Sequence, residues 1–277
     1  MYQYLGDTRI QMYELFNNIA VVLIYIFNLA NFKQKLALPS KLSGVYINFI
    51  SEKRVPAFFK SEKFFAFIEI VIISYAYVLA RPLTSFVGSY VGTGFNYYGI
   101  LFFAPLLLQI LFIFLSCDPL KQMDMVTPAF PLALVSGKLA CFFQGCCWGI
   151  ECSFGLYNHR NDKVEFPVQL VEAGLALIIF IVLLCIKKRV KEGTLYPIYV
   201  IAYSATRFFS EFLRREEEVF WIFKKYHILC LMGVVIGIAQ YLIIKKNKEK
   251  ILRFYDRSCY IIIDFIYVVL FGFGVKK

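Results

Sequence analysis

The sequence predicts an all-α integral membrane protein. Seven transmembrane helices should surround a polar cavity that opens outward or laterally, followed by a short apolar C-terminal segment. Three observations carry this. Of the 277 residues, 60% are hydrophobic and only 18% charged, and the apolar ones gather into long uncharged runs. Seven of these runs are about 17 to 24 residues long, the length that crosses a bilayer core as a helix. The formal net charge of +11 is concentrated in a few loops. That distribution suits topology signals and anionic lipid headgroups, and no basic face interleaved with aromatics points to nucleic acid.

The expected spans are residues 10–30, 64–80, 98–116, 126–149, 166–186, 194–213 and 228–244. The N-terminal MYQYLGDTRIQMYELF lacks the charged start and small-residue cleavage site of a secretory signal, so the first run is expected to remain as a span. An eighth apolar stretch, 259–275, is short and carries Asp264, which favours an interfacial or re-entrant segment. Residues 1–250 read as one membrane domain and 251–277 as a basic, then apolar, C-terminal segment. Residues 151–165 form a polar loop.

Loop charge sets the orientation. Lys33, Lys35, Lys41, Lys53, Arg54, Lys60 and Lys63 lie in the first loop; Lys187, Lys188, Arg189 and Lys191 follow the fifth span; Lys245, Lys246, Lys248, Lys250, Arg253 and Arg257 follow the seventh. All three groups fall on one side, which should be cytoplasmic, with the N-terminus outside.

The fourth run is the odd one. Its end, SGKLACFFQGCCWG, holds Lys138, Gln144 and three cysteines between Gly137, Gly145 and Gly149. A helix facing lipid has no use for that mixture, whereas one facing a polar cavity does. Of the eight cysteines, those at 141, 146, 147 and 152 read first as small packing residues, with a disulfide or redox role as the alternative. Adjacent Cys146 and Cys147 are awkward co-ligands of one tetrahedral zinc, and no HExxH pair occurs, so neither a metal nor a cofactor is expected.

The sixth run carries Tyr203, Arg207, Glu211 and Arg214 at i, i+4, i+8 and i+11, one stripe of a helix. Arg207 and Glu211 are spaced to pair. On the bland reading they only neutralise each other while Arg214 snorkels to the outer interface. On the functional reading, Lys138 and the two arginines converge on an anionic lipid headgroup. Gln169 and Glu172, in FPVQLVEA near the outer start of the fifth run, are placed to join the same wall.

These stretches together resemble the prolipoprotein diacylglyceryl transferases of bacterial inner membranes. The likeness runs from Gly94 to Arg214. GKLACFFQGCCWG stands where the family reads approximately GRxGNFxNGExxG, preceded by DMVTPAFPLALVSG with its acidic residue and paired prolines. FPVQLVEA resembles xPxQLYEA, and YSATRFFSEFLRREEE resembles YxxxRFxxEFxRxPD. The resemblance implies seven spans with the N-terminus outside. It also implies transfer of the diacylglyceryl group of phosphatidylglycerol to the lipobox cysteine thiol of a prolipoprotein, giving a thioether and glycerol phosphate. Arg207 matches an essential family arginine, with Tyr203 beside it. Glu211 and Arg214 match a structural or headgroup-contacting pair. Lys138, Gln144, Gly145, Gly149, Gln169 and Glu172 complete the implied binding set.

Several positions depart from the pattern. Lys138 replaces an arginine, Cys141 and Gln144 replace asparagines, and Tyr97-Tyr98-Gly99 stands at the family's HGG. Tyr97 thus occupies the place of a histidine implicated in proton transfer, although an unperturbed tyrosine, with a pKa of about 10, is a poor base near neutrality. These replacements leave two further readings open: a paralogue acting on a different lipid or acceptor, and a non-catalytic lipid-binding or accessory membrane protein. The sequence leaves the oligomeric state unspecified.

Overall fold

The computed structural model describes side chains at residues 120–215 (122 excepted) and 223–254. It also describes the backbone at 2–5, 8–11, 119, 122, 218–220 and 255–271, and isolated positions at 15, 19, 22, 23, 26, 27, 97, 98, 101, 102 and 105. The expected spans at 64–80, 98–116 and most of 10–30, with the first basic loop, lie wholly or largely outside these residues.

In chain order the elements are β1 (Tyr2–Leu5), β2 (Thr8–Gln11), α1 (Pro119–Val126), α2 (Ala129–Gln144), β3 (Glu151–Asn158), β4 (Lys163–Glu165), α3 (Val168–Ile186), α4 (Leu195–Glu211), β5 (Glu218–Phe220), β6 (Phe223–Lys224) and α5 (Lys225–Phe271). Among the described residues, three helical stretches are long and apolar enough to cross a membrane: Met123–Gln144, Val168–Ile186 and Lys225–Phe254. The described chain is therefore mostly helical, but it is not purely α. Three two-stranded antiparallel hairpins punctuate it. The expected polar loop at 151–165 is one of them, with Tyr157 opposite Val164 and Asn158 opposite Lys163.

The chain divides into two compact units. One comprises Met1–Asn28, Val126–Val190 and Leu195–Gln240; the other comprises Leu29–Met125, Lys191–Thr194 and Tyr241–Lys277. In the second unit a tight turn is held by Gly193, at φ 85°, whose amide donates to the Asp124 carboxylate. Lys248 pairs with Glu192 at 2.7 Å.

The first unit contains the site. Here α2 packs on α3, and α3 on α4. The buried positions of α3 are Val168, Gln169, Glu172, Ala173, Ala176, Ile179 and Leu183, a helical stripe in which small alanines alternate with large side chains. Its other face exposes Ile178, Ile181 and Val182, the apolar surface that lipid covers.

α2 begins after Pro128, and Pro131 falls in its first turn, where the missing amide would have no helical partner. It stops at Gln144, five residues before the expected end of the fourth span at 149. Gly145 takes the left-handed conformation, φ 72°. Its amide donates to the Phe142 carbonyl and that of Cys146 to the Cys141 carbonyl, both at 3.1 Å. This is a Schellman ending, and glycine supplies the positive φ without steric cost.

The seventh and eighth apolar stretches fall on either side of a kink at Asn247, where the backbone is non-helical (φ −123°, ψ 22°). No glycine or proline occurs between Ile244 and Cys259 to stop a helix.

Candidate functional site

The site is organised by Glu172. Just over one turn into α3, its carboxylate is buried and accepts cations from both neighbouring helices. Lys138 of α2 lies 2.5 Å from Oε2. Arg207 of α4 pairs with Oε1. Arg214, just past the end of α4, donates from Nη2 to Oε2 at 2.7 Å and from Nε to Oε1 at 3.3 Å. Ser210 donates its hydroxyl to Oε1 at 2.9 Å.

Arg207 bridges onward. Its second guanidinium nitrogen is 2.6 Å from Glu211, the i,i+4 partner predicted from spacing. Its Cζ lies 5.0 Å from the centre of the Tyr226 ring, a cation–π contact. The two arginines, Lys138, Glu172 and Glu211 form one buried network with three positive and two negative groups, hence one net positive charge.

Arg214 does not snorkel outward; it is buried and turned back onto Glu172. The turn that carries it is tied down by backbone. Gly149 donates to the Phe166 carbonyl, Phe166 to that of Ile150, and Ile150 to that of Leu213, each at 2.9 Å. Gly149 and Arg214 form an isolated antiparallel bridge. A Cβ on Gly149 would stand 2.4 Å from the Leu213 carbonyl oxygen and 2.9 Å from that of Phe166. This position therefore requires glycine so that three chain segments can meet.

Gln169 is buried one turn before Glu172, and its Nε2 donates to the Cys146 carbonyl at 2.5 Å. It clamps the turn that follows α2. Gln144 and Gly145 lie half-buried in the same turn, and an added Cβ on Gly145 would touch Arg160 and Asn158 at 3.4–3.5 Å. Tyr203 is buried one turn before Arg207, in line with Tyr196 and Tyr199. A small cavity of about 10 Å³ is lined by Lys138, Glu172, Tyr203, Thr206, Arg207 and Ser210 on one side and by Leu134, Leu175, Ala176 and Ile179 on the other. Tyr97 is half-buried in a helical stretch of the second unit.

Sequence reasoning missed several participants. Ser210 lies within the stripe, three residues after Arg207, yet a serine gives no signal of its own. Lys224 follows the apolar run VFWIF and carries no motif of its own. It is buried, and its ammonium donates to the carbonyls of Glu211 and Arg214 at 2.9 and 2.5 Å, capping the end of α4. His227 receives the Lys224 amide on Nδ1 at 2.9 Å and sits among Phe208, Phe212 and Phe223. Cys141, Cys146 and Cys147 bring their sulfurs within 4.8 Å of one another, a grouping that their reading as packing residues did not anticipate.

The comparison with known proteins follows this geometry. The profile of a family described as prolipoprotein diacylglyceryl transferase matches residues 4–243, most of the chain. The chain belongs to this family. Among curated members, it is 33% identical over 132 residues to the phosphatidylglycerol--prolipoprotein diacylglyceryl transferase of Chlorobaculum tepidum, covering 44% of this chain and 46% of that one. The enzyme of the same name from Clostridium tetani is 27% identical over 167 residues, covering 57% and 67%. That of Clostridium novyi is 29% identical over 139 residues, covering 46% and 53%. The matched stretch thus spans about half to two thirds of these relatives' lengths. For a prolipoprotein diacylglyceryl transferase family member, a buried cationic network among apolar helices is the feature to explain. Ions at bilayer depth cost several kcal/mol each unless a partner or ligand offsets them.

Proposed function

We propose that this protein transfers the diacylglyceryl group of phosphatidylglycerol to the lipobox cysteine of a prolipoprotein or related peptide, at the outer side of a bacterial cytoplasmic membrane. The observation that carries the proposal is the convergence of Lys138, Arg207 and Arg214 on Glu172, beside a cavity of mixed polar and apolar lining. Loop charge supports an N-terminus outside and basic loops in the cytoplasm.

A phosphodiester carries one negative charge, and the network carries one net positive charge, so a bound headgroup would be neutralised. In the reaction the thiol loses its proton, the sulfur bonds the glyceryl carbon, and that carbon's bond to the phosphate oxygen breaks, releasing glycerol phosphate. Charge grows on the leaving phosphate, where the fixed arginine forks stabilise it more than they stabilise the diester. Lys138, with 14% of its side chain exposed, is the cation best placed to move from Glu172 to an incoming phosphate. The cavity, at about 10 Å³, has room for roughly one water-sized group. Loading a headgroup therefore requires the Lys138 side of the network to open. Tyr203, buried one turn before Arg207, is assigned to positioning the thiol.

A second reading, the same donor chemistry on a different acceptor, is favoured by the replacement of the family asparagines by Cys141 and Gln144 and by the absence of histidine before Cys152. One experiment separates the two. The chain is expressed in a strain depleted of its own transferase, and transfer of labelled lipid to a lipobox peptide is followed. Transfer that Arg207→Ala abolishes supports the first reading. Folded protein that binds phosphatidylglycerol yet labels none of several lipobox peptides overturns it.

A further inference from the structure

We propose that Cys141, Cys146 and Cys147 form a three-thiolate site for one soft, thiophilic cation of the copper(I) class. All three are free thiols, and their sulfurs lie within 4.8 Å of one another.

The backbone builds this grouping. Cys141 lies in the last turn of α2. The Schellman ending reverses the chain at Gly145, so Cys146 folds back and its amide reaches the Cys141 carbonyl at 3.1 Å. Its sulfur lies 3.6 Å from the same carbonyl oxygen. Cys147 then takes a left-handed conformation, φ 62°, which is costly for a residue with a Cβ. Gln169 fixes the turn from α3 through the Cys146 carbonyl. Two adjacent cysteines would send their side chains apart on a regular helix or strand; this turn brings both to Cys141.

The dimensions suit a three-coordinate ion. Sulfurs at most 4.8 Å apart lie on the order of 2.8 Å from the centre of their triangle. An inward shift of about half an ångström brings each to a metal–thiolate bond of about 2.3 Å. Among the described residues no histidine, carboxylate or further cysteine joins the group. A structural zinc site calls for four protein ligands, whereas an all-thiolate set of three selects a soft ion. Lys138 precedes Cys141 by three residues on α2, and Glu172 follows Gln169 by three on α3. A cation that cross-links the turn would therefore brace the two helices that hold the Lys138–Glu172 pair.

The test uses the full-length protein, purified in detergent under anaerobic conditions and free of reductant. Copper(I) is titrated against a chromophoric chelator, with zinc(II) in a parallel series. The expected result is one equivalent of copper(I), with a thiolate-to-metal charge-transfer band. Cys146→Ser should weaken binding at least about tenfold, while Cys185→Ser, at an exposed cysteine of α3, leaves it unchanged. Independently of any variant, bound copper(I) should protect Cys141, Cys146 and Cys147 from alkylation but not Cys185, as read by peptide mass spectrometry. Binding that Cys146→Ser leaves intact, a zinc(II) affinity equal to that for copper(I), or alkylation without protection overturns the site. A disulfide among these three residues in protein isolated without reductant would also overturn it.

Discussion

The Lys138 ammonium lies 2.5 Å from the Glu172 carboxylate, joining α2 to α3 within the helical part of the fold. Lys138 is the more exposed partner, and Glu172 the one shared with both arginines.

Replacing Glu172 by Gln removes the anion on which three cations converge. Breaking a buried ionic set by deleting one partner costs about 3–5 kcal/mol. Thermal unfolding in detergent should show a large loss for Glu172→Gln, partly restored by phosphatidylglycerol, whose phosphate supplies a negative charge. A melting curve like that of the wild type would mean that the cations are satisfied elsewhere.

At position 138 the sign of the effect is diagnostic. Lys138→Arg keeps the charge and adds a fork for phosphate oxygens, so lipid transfer should be preserved or rise. Lys138→Met keeps most of the length and loses the charge, so transfer should fall by about 10²-fold or more if the charge acts on the leaving phosphate. Equal rates for the two variants would remove Lys138 from the chemistry.

Arg207 has a different test, because it bridges two carboxylates and stacks on Tyr226. Arg207→Lys keeps one positive charge but cannot reach Glu172 and Glu211 with a planar fork. Transfer should drop by roughly 10² to 10³, the cost of losing one preorganised donor. Phosphatidylglycerol binding, measured by retention of labelled lipid, should weaken less.

Gly149→Ala tests backbone alone. The new methyl meets the Leu213 and Phe166 carbonyl oxygens, which belong to separate segments and cannot rotate away. A loss of about 1–3 kcal/mol is expected from the forced shift. Because Arg214 pairs with Gly149 across the same bridge, transfer should decline with stability rather than independently. Full stability in Gly149→Ala would show that the bridge opens readily.

Gln169→Leu removes the clamp on the Cys146 carbonyl without changing charge. A carbonyl left unsatisfied in this part-buried turn costs at most about 1–3 kcal/mol. Alkylation of Cys146 and Cys147 should be faster in this variant, and an unchanged rate would mean that the Schellman ending alone holds the turn.

Much of the site was legible in the sequence because helical spacing fixes which residues share a face. Tyr203, Arg207 and Glu211 fall on one stripe, and Glu172 follows Gln169 by three residues, so each helix's share of the wall needed only the period of a helix. Charge within apolar runs was a second signal, since such groups persist only with partners. Helices α3 and α4 begin and end within two residues of the runs at 166–186 and 194–213. The fourth was drawn too long because hydropathy does not register a left-handed glycine at 145.

The sequence by itself determined the membrane class and the set of buried cations and acids, because composition and helical period are local properties, and its motifs carried the resemblance to the family. Only the tertiary structure decided that Glu172 is the hub, that Arg214 turns inward, that Gly149 is held by a three-segment backbone junction, and that Cys141, Cys146 and Cys147 meet. Each of these depends on where one chain segment crosses another. Lys224 illustrates the limit: nothing in its local sequence marks it until the Glu211 and Arg214 carbonyls are found beside it.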